Sequence, residues 1–339
     1  MNPTLRDIAR EVGVSQPVVS KVLNGGKAVG ANASEKTRLK ILKTAEQMGY
    51  RRHMGAVAMR QKRFNIIGLL MSTDLEQRSA LPPGMLAGIC DCLENKGMHL
   101  SIARMNDASL SDPLKTPRLL RELAVDGMLI NYNRFQPAKM NALIKRSNLP
   151  AVWLNDKRSK DAVYPDDLDA GRRAAVRLMD LGHRRIRYVT QTPEEDFPHY
   201  SILDRCRGYE LEMERAGLQA DVVSSTQIKH WIQDFTDPAR RAKAPTALIT
   251  YSRDTMVKMI IAFTEHGLSV PGDCSLIGFC GEEFRLHKTI TSLRVPEKEV
   301  GESGVKLLLR KYDQNIASAT SLPIPHGWIE GETLAPPGL

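Results

Sequence analysis

Residues 13–24 read GVSQPVVSKVLN, from Gly13 to Asn24. Val18, Val19, Val22 and Leu23 recur at helical spacing, so they mark one inward face. Ser15 suits an N-cap, which makes Gln16 the first helical residue and Pro17 the second. Proline is tolerated there, because first-turn N–H groups have no partner inside a helix. Gln16, Pro17, Ser20 and Lys21 then form the outward face of a helix about two turns long.

Just upstream, Leu5, Ile8, Ala9 and Val12 lie three and four apart, which predicts a second short helix. Thr4 is its N-cap, Asp7 completes a capping-box-like pair, and Gly13 stops it. Two short helices joined by a tight glycine-containing turn make a helix-turn-helix. Downstream, Ser34 caps a third helix with the stripe Ile41, Leu42, Ala45 and Met48, ended by Gly49. Three such helices share one small core.

Charge sets this segment apart. The chain has 339 residues and a net charge of +9. Residues 1–63 hold 13 Lys/Arg against 4 Asp/Glu, while residues 64–339 hold 35 of each. The whole excess therefore lies in the patterned head, the electrostatic footprint of a polyanion-binding module on a neutral body. The length implies two or three domains. Hydrophobic residues at 42% and charged residues at 26% fit a soluble globular protein. The longest apolar run, about Asn65 to Met71, falls far short of a membrane span. The N-terminus is charged where a signal peptide is apolar, so a cytoplasmic location is expected. Five cysteines without a Cys-x-x-Cys, namely Cys90, Cys92, Cys206, Cys274 and Cys280, read as reduced packing residues.

The stretches TLRDIAREVGVSQPVVSKVLNG, SEKTRLKILKTAEQMGY and NIIGLL resemble the lactose/galactose repressor (LacI/GalR) family of bacterial transcription regulators. The resemblance continues through LGHRRI, RCRGYELEMERAGL, VPGDCSLIGF, TSLRVP and GETLAPPG, nearly the length of the chain. It implies that the second helix lies in the major groove of operator DNA. Gln16, Pro17 and Lys21 match the base-reading positions. Their chemistry suits this: Gln pairs with adenine, Lys donates to guanine, and Pro offers only apolar contact. Thr4, Ser15, Ser20 and Asn24 match phosphate-anchoring positions, which fix register. Val18 stands where the family often has a hydroxyl residue.

Residues 51–63, RRHMGAVAMRQKR, connect head and body, and five of the thirteen are basic. The resemblance implies a short hinge helix that forms on DNA, enters the minor groove and wedges an apolar side chain between base pairs. Ala56 and Met59 match the hinge contacts, with Met59 at the wedge position. Gly55 costs about 1 kcal/mol of helix propensity relative to alanine, so the hinge helix is expected to be weak. A flexible basic linker is the alternative.

From Asn65 onward, strand-like runs alternate with helical patterns, which argues for parallel sheets. The expected architecture is a small all-α helix-turn-helix DNA-binding domain followed by an α/β domain. That second domain resembles the type I periplasmic-binding-protein fold, with two parallel-sheet subdomains. The expected divisions are a headpiece at 1–50, a hinge at 51–63 and a body at 64–339. Crossovers near Gly182, Arg294 and Pro325 would give one lobe of about 64–182 and 294–324, and another of 183–293 and 325–339.

The resemblance places an effector between the lobes, at the carboxyl ends of the strands. Arg205 matches the family's ligand-binding arginine, with Ser201 one turn before it. Trp231 is the candidate aromatic wall. Arg253-Asp254 replaces the family's Asn-Asp, and Cys280-Gly281 replaces its Asp-Asp. A thiol bonds hydrogen only weakly, so the cleft is expected to lose a carboxylate and gain a guanidinium. That favours an anionic effector, such as a sugar phosphate, clasped by Arg205 and Arg253. The competing expectation pairs Arg253 internally with Glu282 or Glu283.

No Gly-x-Ser-x-Gly elbow, Walker loop, His-Glu-x-x-His or paired Cys-x-x-Cys occurs, so neither an enzyme nor a metal site is expected. A secreted solute receptor fails on the basic, patterned head. A DNA-binding protein without ligand control stays open. The expected protein is a bacterial, nucleoid-associated homodimeric regulator, more a repressor than an activator, on a near-palindromic operator. It needs no cofactor beyond its effector.

Overall fold

The structure is a computed structural model that describes residues 3–23, 34–51, 63–73, 79–106, 124–132, 138–191 and 198–338. The chain divides into two compact units, Met1–Phe64 and Asn65–Leu339.

In the first unit the amphipathic stretches become α1 (Leu5–Val12), α2 (Gln16–Leu23) and α3 (Glu35–Gln47). Thr4 begins α1 with a reciprocal box. Its hydroxyl accepts from the Asp7 amide at 3.3 Å, and its own amide donates to the Asp7 carboxylate at 2.9 Å. Gly13 ends the helix at φ 80, where an amino acid with a Cβ is strained. The Ser15 carbonyl accepts from the amides of Val18 and Val19, so Ser15 occupies the N-cap position of α2. Ser34 caps α3 by accepting from the Thr37 amide. Ile8, Ala9, Val12, Val19, Val22, Ile41 and Ala45 form the core. Leu42 departs from the expected stripe: it is 37% exposed, because Ile41 takes the inward direction and its neighbour lies about 100° away. Removing the cap as Thr4→Ala is expected to cost the headpiece about 1 kcal/mol, measured by urea unfolding.

The second unit contains two six-stranded sheets. In chain order its elements begin with β1 (Ile66–Ser72), α4 (Pro83–Glu94), β2 (His99–Met105), β3 (Gly127–Asn131), α5 (Ala138–Ser147), β4 (Ala151–Leu154) and β5 (Ala162–Pro165). Next come α6 (Asp167–Asp180), β6 (Ile186–Thr190), α7 (Tyr200–Arg215) and β7 (Asp221–Ser224). Short turns α8 (Ile228–Trp231), α9 (Gln233–Thr236) and α10 (Pro238–Arg241) precede β8 (Ala247–Thr250), α11 (Arg253–Glu265) and β9 (Ser275–Cys280). The chain finishes with β10 (Ser292–Arg294), α12 (Glu297–Asp313), β11 (Leu322–Ile324) and β12 (Gly327–Ile329). The first sheet runs β11-β5-β4-β3-β1-β2 and the second β12-β10-β9-β8-β6-β7. Every pairing is parallel except β10 with β12. The central strands are buried along their length, as strands covered by helices on both faces must be.

The first crossover differs from the expectation. The chain leaves the first sheet between Pro165 and Asp167, not near Gly182. Helix α6 packs its Ala170, Ala174, Ala175 and Leu178 into the second lobe, with Ile186, Tyr188, Tyr209 and Ile249. Gly182 is the ordinary turn from α6 into β6, at φ 97, and its glycine signal resembles a domain break. His183 beside it is buried, with Nδ1 against the Thr246 hydroxyl and Nε2 against the Ala335 carbonyl, a structural role. Two further crossovers fall between Arg294 and Glu297 and between Ile324 and Gly327. The Asp166 amide donates to the Ile324 carbonyl at 2.8 Å, which ties the first crossover to the third. Among the described residues no helix is long and apolar enough to cross a membrane.

Candidate nucleic-acid interface and effector cleft

Helix α2 buries Val19 and Val22, so its opposite side must face outward. Gln16, Pro17 and Lys21 are exposed there, Ser15 is exposed at the cap, and Ser20 is half-buried. A helix two turns long thus presents three chemically different side chains on one surface, beside first-turn amides that favour negative charge. Thr4 is exposed, but its hydroxyl already donates to Asp7 at 2.6 Å. Those bonds from Thr4 hold the Asp7 carboxyl below its usual range. Asn24, Ala56 and Met59 lie outside the described residues.

In the body, Ser201 and Arg205 fall one turn apart on α7 and meet the same residue, Tyr251, at the end of β8. The Ser201 hydroxyl lies 2.9 Å from the Tyr251 hydroxyl, and Arg205 Nη1 donates to the Tyr251 carbonyl at 2.8 Å. Phe279 stacks 4.4 Å from the guanidinium. Ser201 also reaches His199, whose Nδ1 accepts from the Ser201 amide. The Nε2 of His199 is then the protonated nitrogen and donates to the Asn155 carbonyl of the first lobe at 3.1 Å.

The partner of Arg205 is Asp167, the first residue of α6. Arg205 Nε donates to its Oδ1 at 2.6 Å, with both side chains buried. Burial alone would raise the Asp167 carboxyl, yet the guanidinium beside it prevails and holds it well below the usual carboxylate range. His326, at the third crossover, brings Nε2 within 3.4 Å of the same oxygen. Burial holds the imidazole of His326 below its ordinary pKa. Among the described residues, Asp167 Oδ2 and both His326 ring nitrogens are buried without a hydrogen-bond partner.

The other expected cleft residues go elsewhere. Trp231 is 4% exposed and packs with Phe235, Phe263 and Met259 in a core of the second lobe. Its indole donates to the Ser224 carbonyl. The chain passes from β7 into short helical turns, and Trp231 ends α8 inside this core. Cys280 joins the same core, and burial pushes its thiol up. Strand alternation explains this: Phe279 faces Arg205, so its neighbour faces the opposite side. Arg253 and Asp254 begin α11 and are both exposed. Arg253 lies 3.7 Å from Glu282, both largely in solvent, so the expected internal pair exists but is worth little.

Glu297 was not among the expected residues. It starts α12, and its carboxylate sits where a side chain on Gly281 would go, 2.4 Å from an ideal Cβ. Its Oε2 also lies 2.9 Å from where a Cβ on Gly84, in the first turn of α4, would stand. The signals for Asp167 and Glu297 were only those of ordinary first-turn acids, in PDDLD and VPEKE. Among the described residues no cluster of His, Cys, Asp and Glu could hold a metal ion.

The geometry of head and body agrees with the comparisons. Residues 4–53 match the family described as bacterial regulatory proteins, lacI family, and residues 175–334 match the periplasmic binding protein-like domain. Catabolite control protein A of Priestia megaterium is 24% identical over 96% of this chain and 97% of its own. The crystal structure of the lac repressor dimer bound to operator and the anti-inducer ONPF superposes with a TM-score of 0.73 at 21% identity, over 99% of this chain and 100% of that one. A sugar-binding transcriptional regulator of the LacI family from Escherichia coli, complexed with phosphate, gives a TM-score of 0.61 at 19% identity, over 81% and 100%. The chain therefore joins a lacI family DNA-binding domain to a periplasmic binding protein-like domain, as its two-part fold does.

Proposed function

We propose that the protein is a ligand-controlled transcriptional repressor that binds a near-palindromic operator as a homodimer in the bacterial cytoplasm, at the nucleoid. The observation that carries this is the outward face of α2, where Gln16, Pro17 and Lys21 stand exposed in the segment that holds all the net positive charge. A two-fold dimer presents two such faces to two half-sites. Gln16 and Lys21 read base edges, Pro17 makes apolar contact, and Ser15, Ser20, Thr4 and Asn24 anchor phosphates. Ala56 and Met59 act in the minor groove. A small molecule held near Ser201 and Arg205 shifts the angle between the lobes and so the DNA-binding population.

Selection of bound DNA from a random pool is expected to return one two-fold motif. Lys21→Ala is expected to relax preference at one position of each half-site, a loss of about 1–3 kcal/mol of discrimination. Ser20→Ala is expected to weaken binding alike on all sequences. Uniform weakening by Lys21→Ala rules out its base-reading role.

An anionic effector such as a sugar phosphate would draw on Arg205 and Arg253, with Asp254 next in sequence. Asp167 already meets the charge of Arg205, and Trp231 and Cys280 face a core, so of these residues Arg253, 3.7 Å from the exposed Glu282, is the more accessible cation. The class of effector therefore turns on what surrounds Arg253.

A further inference from the structure

The carboxylate of Glu297 occupies a corner with three features that attract a negative group. The first is the start of α4, a helix of twelve residues whose N-cap is Pro82. Proline has no side chain that can cap, and none does so here. The orphan amides of that turn favour a negative group, and Oε2 of Glu297 sits beside Gly84, 2.9 Å from where its Cβ would stand. The second feature is Gly281, at the end of β9. Its missing side chain leaves the space into which Oε1 of Glu297 fits, and its ideal Cβ would stand 2.7 Å from the carboxyl carbon. The third is Arg253, close enough to lower the carboxyl's proton affinity, while Glu282 works against it. Burial raises the Glu297 carboxyl overall, and the side chain is half-buried. Gly84 belongs to the first lobe and Gly281 to the second, and Glu297 follows the crossover between them.

We propose that Glu297 is a specificity-determining residue of the effector cleft: it fills the anion-binding corner between Gly84, Gly281 and Arg253 with an internal carboxylate, so that the cleft takes an effector without net negative charge and rejects phosphorylated ones. This rests on the ligand-controlled reading above. It is supported independently at the other end of the cleft, where Asp167 neutralises Arg205. Two cations are thus matched by two internal carboxylates, and an added phosphate would meet carboxylates first. An uncharged polyhydroxyl or ammonium-bearing molecule would instead find acceptors.

The test uses inorganic phosphate as the probe and the full chain as the protein. Titration calorimetry is run on the wild type, Glu297→Gln, Glu282→Gln, Arg253→Ala, and Glu297→Gln combined with Arg253→Ala. The basic headpiece contributes the same background to each. Glu297→Gln keeps the shape of the side chain and removes its charge. It is expected to bind phosphate at least tenfold more tightly than the wild type, and the added Arg253→Ala is expected to erase that gain. Glu282→Gln frees Arg253 of its exposed partner at 3.7 Å but leaves the Glu297 carboxylate in the corner, so it is expected to gain less phosphate affinity than Glu297→Gln. The proposal is overturned if Glu297→Gln gains nothing, or if the wild type binds phosphate with an affinity that Arg253→Ala abolishes. Should Glu297→Gln fail to fold, the comparison of the wild type with Arg253→Ala still decides: no Arg253-dependent phosphate binding supports the proposal. DNA selection on the same preparations separates the two readings. A wild type that selects an operator yet binds phosphate through Arg253 defeats only the Glu297 assignment. One that selects no sequence defeats the regulator reading and leaves the phosphate result standing.

Discussion

Asp167→Ala is expected to lower the stability of the 65–339 unit by about 3–5 kcal/mol at pH 7, the usual cost of leaving one partner of a buried ion pair uncompensated. Arg205 is 7% exposed and its Nε lies 2.6 Å from the lost oxygen, so the guanidinium has no water to replace the carboxylate. The Tyr251 carbonyl satisfies one donor but carries no charge. Replacing both residues together, as Asp167→Leu with Arg205→Met, is expected to recover much of the loss, because no unpaired charge remains. A double-mutant cycle by urea unfolding reads this as a coupling of about 2 kcal/mol or more, and additive losses would show that the pair is not a unit.

The same pair fixes the sign of a pH dependence. Asp167 has a depressed pKa in the folded protein, so the unfolded chain takes up its proton first as pH falls. Its stabilisation is complete above the ordinary carboxylate range, near 4, and is lost as pH falls from there toward the much lower folded value. The share of the gap between wild type and Asp167→Ala that comes from the carboxylate itself should therefore shrink below about 4. His326 acts earlier. Burial lowers its pKa in the folded state, so the unfolded chain protonates first below about 6.5 and stability erodes from that point. The neighbouring Asp167 favours the protonated imidazole, so the erosion runs further in Asp167→Ala than in the wild type.

The headpiece is legible in the sequence because its rules are local. Period, caps and glycine stops each act within one turn, and Thr4, Asp7, Gly13, Ser34 and Gly49 all serve as their spacing implies. Leu42 is the exception, and the helical angle accounts for it. The alternation of strand and helix likewise reveals two sheets. The crossover at Asp167 was hidden by a stronger turn signal at Gly182, since a glycine turn inside a lobe and one between lobes look alike. Ser201 and Arg205 share a helix face, so spacing could pair them. The inward turn of Cys280 was available from alternation with Phe279, although which of the two faces the cleft required the structure. Asp167 and Glu297 were not readable in this way. Each reaches a partner on another element, Arg205 in one case and Gly84 with Gly281 in the other, and no local pattern encodes such reach.

The placement of Asp167 against Arg205 depends in turn on two glycines, and Gly208→Ala is expected to destabilise the protein by about 2–4 kcal/mol, at or above the usual range for overpacking. Helix propensity alone predicts the opposite sign, a gain of about 1 kcal/mol for alanine in a helix interior. The neighbours decide. A Cβ on Gly208 would stand 2.1 Å from the Leu168 carbonyl oxygen and 2.8 Å from the Arg172 amide nitrogen, and one on Gly171 would stand 2.1 Å from the Arg205 carbonyl oxygen. These are backbone atoms of α6 and α7, so relief requires the helices to part. Parting them by about 1 Å pulls Arg205 on α7 away from Asp167 on α6, where hydrogen-bond energy falls steeply with distance. The loss is therefore expected to be partly shared with Asp167→Ala, and the double variant should lose less than the sum of the two. Gly217→Ala provides the contrast. It has open space around it but sits at φ 66, so its cost of about 1 kcal/mol comes from the backbone and should add to Asp167→Ala without coupling. The first lobe repeats the device: Gly88 would meet the Lys298 carbonyl at 2.2 Å and Gly301 the Met85 carbonyl at 2.3 Å, pressing α4 onto α12. In both lobes the helix that follows a crossover is clamped backbone to backbone within its first two turns. The acid at its start, Asp167 or Glu297, is thereby delivered to the cleft at a fixed height. Gly301→Ala should accordingly reproduce, at Glu297, the displacement that Gly208→Ala causes at Asp167, and a gain of phosphate binding by Gly301→Ala would reveal it.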